Sequence, residues 1–315
     1  MKTISLEQIR SVLPGIDVVA AMEEGFVAYS EGRCIVPPVG ELLLEKGEVH
    51  IKYGCIKGDE FYVIKVASGF YGNAALGLPT GSGLMLLFNQ ETGELATILL
   101  DEGHLTDIRT AAAGAVAAKH LAPKNVSKIG IVGTGVQARL QLLFLGGIVM
   151  CRDVLVWGRG AKQLEEYSAE TSLDTFSIET TTDAARIQKE CDLIVTTTPS
   201  KSPLLFFDHL RPGTHITAVG SDTSEKQELE SGILSHADIV VADSIAQCLE
   251  RGEIFRALSD GAMDANFPIE LGKVISGESA GRTDSEQITV ADLTGVAVQD
   301  IKIAEAVYRE LRSEV

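Results

Sequence analysis

Two glycines and an alanine near the middle of the chain have the spacing of a phosphate-binding turn. They form a G-x-G-x-x-A pattern that follows an apolar run from Lys128 and precedes an apolar stretch of helical character. Such a turn lets the backbone approach a pyrophosphate, while the free N–H groups and dipole of the following helix point at its charge. The pattern predicts a dinucleotide site, and a glycine-rich turn that binds nothing is the alternative. The turn consists of Gly133, Thr134, Gly135, Val136, Gln137 and Ala138.

Arg159 bears on which dinucleotide is bound. It lies in Trp157-Gly158-Arg159-Gly160, at the end of the next predicted strand. An Asp or Glu at this place accepts a hydrogen bond from the ribose 2′-hydroxyl of NAD, whereas an Arg pairs with the 2′-phosphate of NADP. No acidic residue occupies the position, so the sequence favours NADPH. The alternative is a solvated arginine on a surface loop.

Polar residues also follow two later strands, and ligands of a doubly wound sheet bind outside the carboxyl ends of its strands. Thr197, Thr198 and Pro199 are placed to line the ribose and phosphates of a cofactor, or they form an ordinary strand end closed by a turn. Asp222 follows the next strand, where a carboxylate can donate or accept a proton beside a transferred hydride. Capping a helix is the alternative role for an Asp at this position.

Two lysines and an arginine in the first third of the chain are candidates for binding an anion. Lys52 and Lys65 lie in apolar-rich runs, and lysine seldom enters a core without a partner because desolvation of its charge is costly. Exposure at a sheet edge is the simpler explanation for both. Arg109 and Thr110 lie at the head of an Ala-rich helix, where an arginine and free backbone N–H groups can hold a carboxylate. A surface arginine is the ordinary alternative.

The composition is that of an ordinary globular protein with an acidic surface. The chain has 315 residues, enough for two domains, of which 45% are hydrophobic and 23% charged. Its net charge of −17 argues against nucleic acid or an anionic membrane surface as the main partner. A local basic site for an anionic small molecule remains compatible with this charge.

Neither the cysteines nor the histidines have the spacing of a metal site. The five cysteines are scattered without a CxxC pair, which indicates reduced thiols and not a disulfide framework or a zinc site. The six histidines form neither HxxxH nor HxH, so we predict no metal. The amino terminus lacks the apolar segment of a signal peptide, and no apolar stretch is long enough to span a bilayer. We expect a cytoplasmic protein.

The first part of the chain is predicted to be two helices followed by a sheet. Helical periodicity runs from Ser5 to Glu31 and is broken at Pro14-Gly15, which predicts a short helix and then a longer one. Short apolar-rich runs separated by Gly, Asp or Asn predict a mostly antiparallel sheet after these helices. The predicted strands are 41–45, 49–56, 60–68, 83–89 and 95–101, and an Ala-rich helix follows over 105–121.

After Pro123 the chain alternates between strand and helix patterns, which predicts a parallel, doubly wound sheet. The segment from Glu286 onward is strand-like and then helical from Ala297 to Arg312. It belongs either to this sheet or to the first domain. The predicted strands after Pro123 are 128–132, 153–157, 192–196, 215–219 and 239–242.

Several motifs together resemble the ornithine cyclodeaminase/mu-crystallin family. The resemblance covers nearly the whole chain, and the combination of RTAA, GxGxQA and GxDxxxKxEL is specific. The motifs are Lys65-Val-Ala-Ser-Gly-Phe-Tyr-Gly-Asn73, Leu105-Thr-Asp-Ile-Arg109-Thr110-Ala-Ala-Ala, Gly133-Thr-Gly135-Val-Gln137-Ala138, Thr196-Thr-Thr-Pro-Ser200, Val219-Gly-Ser-Asp222-Thr-Ser-Glu-Lys226-Gln-Glu228-Leu229 and Leu293-Thr-Gly-Val-Ala-Val-Gln-Asp300.

The resemblance implies an α/β fold with two domains. A Rossmann-type doubly wound parallel sheet, residues 123–290, would be inserted into a second α+β domain that binds substrate and dimerises. That domain would comprise residues 1–122 and be completed by the segment 291–315. A homodimer would form through its sheet.

The resemblance also implies roles for the candidate residues. Asp222 and Lys65 would be the catalytic residues, with Asp222 binding the substrate nitrogen and shuttling its proton. Lys65, Arg109 and Thr110 would hold the substrate carboxylate, and Gly295 would line the substrate site. The glycine turn would hold the dinucleotide, with Arg159 on its 2′-phosphate.

The chain departs from the family at the positions that bear on the substrate. Many members carry an Arg shortly after the early proline, where this chain has Pro38-Val39-Gly40-Glu41. Lys52 stands where a Met is common and would restore the lost charge. Ornithine-cyclising members carry a Glu just before that Met, and the nearest counterpart here is His50. These differences favour reduction of a C=N bond over ornithine cyclisation.

The expected activity is therefore an NAD(P)H-dependent reduction of a small α-imino or cyclic ketimine acid. NADPH is the preferred cofactor, with NADH as the alternative. The resemblance suggests substrates such as pyrroline- or piperideine-2-carboxylate and iminosuccinate. One alternative is a cyclodeaminase-type lyase with bound NAD. The other is a non-catalytic NADP-dependent binding protein of the mu-crystallin type, against which the intact set of Lys65, Arg109 and Asp222 argues.

Overall fold

The computed structural model describes residues 2–313, which form two compact units. One unit contains the chain up to Arg109 and the segment from Val296 onward, and the other contains Thr110–Gly295. The division therefore lies inside the Ala-rich helix, earlier than the boundary after residue 122 that the sequence indicated. It also lies after Gly295, because the strand that precedes this glycine pairs within the sheet of the second unit.

The first unit is built on a seven-stranded sheet. Its strands are β1 (Lys2–Ser5), β2 (Cys34–Ile35), β3 (Gly40–Leu44), β4 (Gly47–Ile56), β5 (Phe61–Gly69), β6 (Gly81–Asn89) and β7 (Leu95–Leu100). They are arranged in the order β1-β7-β6-β5-β4-β2, and β3 pairs with β4. All neighbours are antiparallel except β1 and β7, which are parallel.

The alternation of side chains along β5 and β6 explains why this sheet has one buried face. Phe61, Val63 and Lys65 of β5 are buried, and so are Met85 and Leu87 of β6, whereas the residues between them are partly exposed. Lys65 therefore occupies a core position of the sheet. The predicted antiparallel sheet is confirmed, but the short strand β1 was missed because it precedes the first helix and pairs with a strand far along the chain.

Three α-helices among the described residues belong entirely to the first unit: α1 (Leu6–Val12), α2 (Val18–Ser30) and α11 (Ala297–Ser313). Ser5 begins α1 with a capping box in which Ser5 and Gln8 exchange side-chain and backbone hydrogen bonds. The last helix, α11, packs against α2, β4 and β5 and thereby covers the buried face of the sheet. An ion pair between Lys302 and Glu24, 2.7 Å apart, joins α11 to α2.

The second unit is a parallel sheet of eight strands in the order β10-β9-β8-β11-β12-β15-β13-β14. The strand order reverses between β8 and β11: β9 and β10 lie on one side of β8, and β11 and β12 lie on the other. A doubly wound sheet binds its ligand at such a reversal. This confirms the predicted Rossmann-type parallel sheet. The strands are β8 (Ile129–Val132), β9 (Asp153–Trp157), β10 (Ser177–Thr181), β11 (Leu193–Thr196), β12 (His215–Ala218), β13 (Ile239–Ala242), β14 (Ile269–Glu270) and β15 (Thr289–Asp292).

Helices connect most of these strands and cover the sheet. The chain enters the unit through α3 (His104–Leu121). The others are α4 (Val136–Leu145), α5 (Ala161–Ser168), α6 (Ala184–Glu190), α7 (Ser231–His236), α8 (Ile245–Cys248), α9 (Gly252–Ser259) and α10 (Leu271–Ile275). The sequence missed β10 and β14 because neither has an apolar run: β10 is a polar edge strand and β14 has only two residues.

His215 is a buried, neutral histidine in the core of the second unit. Its ring nitrogens lie 2.8 Å from Thr289 Oγ1 and 2.9 Å from Thr217 Oγ1. Burial lowers the pKa of His215 to about 3, helped by the charge of Arg282. The unfolded chain gains a proton on this histidine near pH 6.5 and the folded chain does not. His215 therefore reduces stability as the pH falls from about 7 towards 3.

We predict that, between pH 7 and pH 5, the free energy of unfolding falls by about 2 kcal/mol less in His215→Gln than in wild type. Urea unfolding followed by fluorescence of Trp157, the single tryptophan of the chain, reports on this unit. The variant is compared with wild type because buried carboxyls such as Glu228, whose pKa burial raises, act in the opposite direction. His209→Gln, at an exposed histidine, is the control. An equal pH dependence in both variants would contradict the prediction.

Candidate active site

A buried cluster of opposite charges lies in the first unit. Lys65 Nζ donates a 3.0 Å hydrogen bond to Asp300 Oδ1, and Arg109 Nε lies 2.9 Å from the same oxygen. The three side chains are only 2%, 1% and 5% exposed, in the order Lys65, Asp300 and Arg109. Arg109 Nη1 also donates to Gln299 Oε1 at 2.9 Å. The edge-exposed lysine and the surface arginine are therefore wrong as explanations of Lys65 and Arg109.

Backbone register brings a third cation to the cluster. Lys52 of β4 pairs directly with Lys65 of β5, and both side chains are on the buried face. Asp300 lies in the first turn of α11, which packs on these two strands, and Arg109 lies near the start of α3. Edge exposure is therefore wrong for Lys52 as well, because β4 is an interior strand and Lys52 is 6% exposed.

Burial and mutual charge shift the pKa values of these groups. Burial lowers the pKa of Lys65 to about 7, with a further contribution from Arg109. Burial alone would raise the pKa of Asp300, but Arg109, Lys65 and Lys52 outweigh it and hold it below its ordinary value. Nearby, burial raises the pKa of Asp101. The cluster therefore contains an ionised Asp300 and an excess of cationic groups.

Two buried oxygens of the cluster have no hydrogen-bond partner among the residues that the structure describes. They are Asp300 Oδ2 and Asp101 Oδ1. Buried polar atoms normally have partners, and Oδ2 of the ionised Asp300 can only accept, so it marks a place for a water or for a ligand that donates an N–H or O–H. A carboxylate ligand suits the cations Lys52, Lys65 and Arg109, since arginine and lysine form charge-assisted hydrogen bonds with it.

The sequence did not single out Asp300 or Gln299 by role. Both were visible only as the end of the late motif Leu293-Thr-Gly-Val-Ala-Val-Gln-Asp300. The available signal was physical: a lysine at a core position of β5 needs a counter-ion.

His50 and Glu41, two residues at which the chain departs from its family, contact each other. His50 Nε2 lies 3.0 Å from Glu41 Oε1 across β3 and β4.

The predicted dinucleotide turn lies in the second unit between β8 and α4. Gly133 has φ +126°, and a Cβ there would come within 2.5 Å of Thr197 Oγ1, so only glycine fits. Gly135 is the N-cap of α4, receives no side-chain cap and has open space where a Cβ would stand. The N–H groups at the start of α4 therefore face an open site without a protein cap, which suits a phosphate group.

The other predicted cofactor residues lie around this turn. The backbone N–H of Gly133 donates to Trp157 O at 2.9 Å, and a Cβ on Gly158 would contact the side chain of Thr134. The end of β9 therefore lies against the turn, and Arg159 is the residue after Gly158. Arg159 is exposed. The members of the turn differ in exposure: Gly133 and Ala138 are buried, Thr134 and Gln137 partly buried, and Gly135 and Val136 exposed.

Thr197 and Thr198 close the carboxyl end of β11. Thr197 Oγ1 donates to Val132 O at 3.1 Å, and the N–H of Thr198 donates to Glu228 Oε1 at 2.6 Å. Pro199 is exposed after them. These residues stand next to the glycine turn, at the edge of the sheet where a dinucleotide is expected.

Asp222 lies in an irregular loop after β12 and forms an ion pair with Lys226. The two atoms, Lys226 Nζ and Asp222 Oδ1, are 2.6 Å apart. No helix begins at Asp222, so the helix-capping alternative is wrong. Glu228 of the same loop is fully buried and accepts from Thr196 Oγ1, Thr198 N and Gly220 N, at 2.7, 2.6 and 2.9 Å. It ties the Asp222 loop to the end of β11.

Thr110 and Gly295, which the resemblance places near the substrate, belong to the second unit. Thr110 O accepts a hydrogen bond from Gln141 Nε2 of α4 at 3.0 Å. A Cβ at position 114 would collide with the side chain of Gln141, so Gly114 allows this close approach. Gly295 has φ +81° and its N–H donates to Asp243 Oδ2 at 2.6 Å. Both positions are held by defined contacts.

Other kinds of site find little support in the described residues. No group of three or more His, Cys, Asp or Glu side chains there is arranged to hold a metal ion. All five cysteines are free thiols. No helix within residues 2–313 is long and apolar enough to cross a membrane. A surface cavity of about 630 Å³ lies at the amino ends of β8, β9 and β10, and Lys128 in its lining pairs with both Glu179 and Glu190.

Residues 4–314 match the family model described as the ornithine cyclodeaminase/mu-crystallin family. The chain belongs to this family. An uncharacterised cyclodeaminase of Sinorhizobium fredii is 40% identical over 316 residues, which cover 98% of this chain and 95% of the relative. The resemblance noted in the sequence is thus confirmed.

Solved structures of the family have the same fold. An archaeal alanine dehydrogenase dimer with bound NAD has 33% identity and a TM-score of 0.91, with 99% of this chain and 96% of that chain covered. A Δ1-pyrroline-2-carboxylate reductase of Thermococcus litoralis, in complex with NADH and L-proline, has 26% identity and a TM-score of 0.92, with 100% and 98% covered. Both proteins bind a nicotinamide dinucleotide.

We predict that Asp300→Asn lowers the free energy of opening of the first unit by about 3–5 kcal/mol, because it leaves Lys65 and Arg109 buried without their counter-ion. Hydrogen exchange of the α11 backbone amides measures this locally. Glu60→Gln is the control, since it removes the exposed ion pair of Glu60 with Arg312 of α11. This substitution should lower the free energy of opening by less than about 1 kcal/mol. Equal effects of the two substitutions would show that Asp300 is not the counter-ion.

Proposed function

We propose that this protein is an NAD(P)H-dependent reductase of a small α-imino or cyclic ketimine acid, which it converts to an L-amino acid. The observation that carries the proposal is the buried cluster of Lys52, Lys65 and Arg109 around the single ionised Asp300. Such an excess of desolvated positive charge suits a carboxylate substrate. The chain adds to it a dinucleotide turn and a carboxylate at Asp222.

The class of reaction does not depend on which imino acid is the substrate. The chain is an NAD(P)-dependent oxidoreductase of its family, as the alanine dehydrogenase and the pyrroline-2-carboxylate reductase to which it is similar indicate. The imino acid itself is the proposal, and so is the preference for NADPH.

In the proposed reaction, Lys65 and Arg109 bind the substrate carboxylate, with Lys52 supplying a third positive charge. Asp300 holds Lys65 and Arg109 in place, so little side-chain ordering remains when the substrate enters. Thr110 and Gly295 are assigned to the substrate site on the family resemblance alone. Holding the substrate in a reactive geometry contributes up to about 7–11 kcal/mol of the barrier in favourable cases.

Asp222 acts on the substrate nitrogen in this proposal. Its carboxylate accepts a hydrogen bond from the protonated C=N nitrogen, and this keeps the carbon electrophilic. When bound at the glycine turn, a nicotinamide dinucleotide would supply the hydride, and the carbon of the C=N bond would accept it. The π electrons of the C=N bond become the nitrogen lone pair, and Asp222 exchanges the nitrogen-borne proton with solvent. General acid–base catalysis of this kind contributes about 10²–10⁴-fold.

A second candidate is a cyclodeaminase, which would use bound NAD to oxidise a diamino acid, release ammonia and reduce the cyclised product. The name of the S. fredii relative favours it. The residue type at position 50 argues for the reductase, because His50 is the nearest counterpart of the Glu that ornithine-cyclising members carry. Ammonia release without net change of the nicotinamide would select the cyclodeaminase.

We further propose a cytoplasmic homodimer, formed through the sheet of the first unit. Both faces of β3 expose apolar side chains: Leu42, Leu43 and Leu44 are 55%, 63% and 47% exposed. Ile51 and Tyr53 of the neighbouring β4 are about 40% exposed as well. Exposed apolar side chains clustered on neighbouring strands are typical of a protein interface, and the similar archaeal alanine dehydrogenase is a dimer.

The proposal is tested with NADPH and NADH against pyrroline-2-carboxylate, piperideine-2-carboxylate, iminosuccinate and pyruvate with ammonia, followed by nicotinamide absorbance. Ornithine and lysine with NAD⁺ are run in parallel. We expect turnover with at least one imino acid and a decrease of about 10²–10⁴-fold in kcat for Asp222→Asn, with unchanged cofactor binding. Asp174→Asn, at an exposed residue of the same unit, is the control. Full activity of Asp222→Asn would remove Asp222 from the reaction.

The proposed preference for NADPH is tested separately with Arg159→Ala. Loss of a charge-assisted contact with the 2′-phosphate should raise KM for NADPH about 10- to 100-fold and KM for NADH less than about threefold. Lys162→Ala, at the exposed start of α5, is the matched control. An equal change of both KM values in Arg159→Ala would refute the assignment.

A further inference from the structure

We infer that Lys226 is a positioning residue that keeps the Asp222 carboxylate ionised and oriented toward the substrate nitrogen. The inference rests on the proposed function, because it assigns a second residue to the step in which Asp222 acts. Its basis is the geometry of the loop after β12, which holds both side chains.

Lys226 is buried although it carries a charge. Its side chain is 7% exposed, while that of Asp222 is 33% exposed, and their polar atoms are 2.6 Å apart. Desolvating an ammonium group is costly without an anionic partner. The buried ammonium therefore contacts a carboxylate that itself remains one-third exposed. A surface ion pair would leave both groups exposed, as Lys201 and Glu225 of the same region do, at 69% and 64%.

The backbone around the pair is held by independent contacts. Ser221 Oγ, buried, donates to Lys226 O at 2.8 Å and closes the loop between the two partners. Glu228 accepts from the N–H of Gly220 at 2.9 Å, and Arg251 Nη1 donates to Asp222 O at 3.3 Å. These contacts fix the loop before any substrate binds. The carboxylate is thus preorganised, which is the condition under which an electrostatic group contributes most to catalysis.

The chemistry gives Lys226 a specific task. Only an ionised Asp222 attracts a protonated C=N nitrogen, and a cation within hydrogen-bond distance favours the ionised form. Lys226 also takes up one direction of hydrogen bonding at the carboxylate, which limits rotation of the side chain. Without this lysine, Asp222 would be neutral over a wider range of acidic pH and less well oriented.

The test compares Lys226→Met, Lys226→Arg and the control Lys201→Met, which removes the exposed lysine of the neighbouring pair. We expect Lys226→Met to lower kcat/KM about 10- to 100-fold and to move the acid limb of its pH profile upward by about one unit or more. Lys226→Arg should restore most of both effects, because it keeps the charge. Lys201→Met should match wild type. Cofactor binding, measured by quenching of Trp157 fluorescence, should be equal in all four proteins.

A binding measurement separates the inference from the activity. L-proline carries a cationic nitrogen, and tetrahydrofuran-2-carboxylate has the same ring without it. Calorimetry in the presence of the dinucleotide should show that Lys226→Met loses most of the preference of wild type for L-proline at mildly acidic pH. An unchanged acid limb and an unchanged preference would overturn the role of Lys226 alone. Wild-type protein that reduces none of the imino acids would instead refute the proposed function.

Discussion

The arrangement of the first unit depends on the cost of burying a charge. Lys65 occupies a position of β5 where a hydrophobic residue would normally stand, and Arg109 is nearly as deeply buried. Neither could remain there without the carboxylate of Asp300, which contacts both. Ion pairs of this kind add little stability compared with apolar side chains of similar volume. The cluster is therefore best explained by what its charge can bind.

Buried carboxylates have a different task in the second unit. Glu228 accepts from the backbone of Thr198 and Gly220, and Glu253 accepts from the backbone N–H groups of Glu228 and Leu229, at 2.7 and 3.2 Å. Asp292 accepts from the N–H of Ile254 at 2.8 Å. These acids satisfy donors in loops that lack regular structure and thereby hold the carboxyl end of the sheet rigid.

The sequence predicted what periodicity and turn chemistry encode locally. The strands from Val49 to Leu100, the glycine turn and five strands after Pro123 (β8, β9, β11, β12 and β13) were predicted close to their observed bounds. It did not predict β1 or the role of Asp300, since β1 pairs with residues more than ninety positions away and the Lys65–Asp300 pair spans 235 positions. No local sequence pattern indicates a partner that lies so far along the chain. A buried lysine in a strand requires an acid, but only the fold selects which acid.

The charged side chains of both units are held by defined contacts before a ligand arrives. In the first unit, Lys65 and Arg109 share one oxygen of Asp300, and its second oxygen has no hydrogen-bond partner within the described residues. The contacts to the first oxygen nevertheless keep Lys65 and Arg109 in place. In the second unit, Arg251 and Lys226 hold the backbone and the carboxylate of Asp222. Charges fixed in advance in this way suit the proposed reduction, in which the carboxyl group and the C=N nitrogen of the substrate must both be oriented.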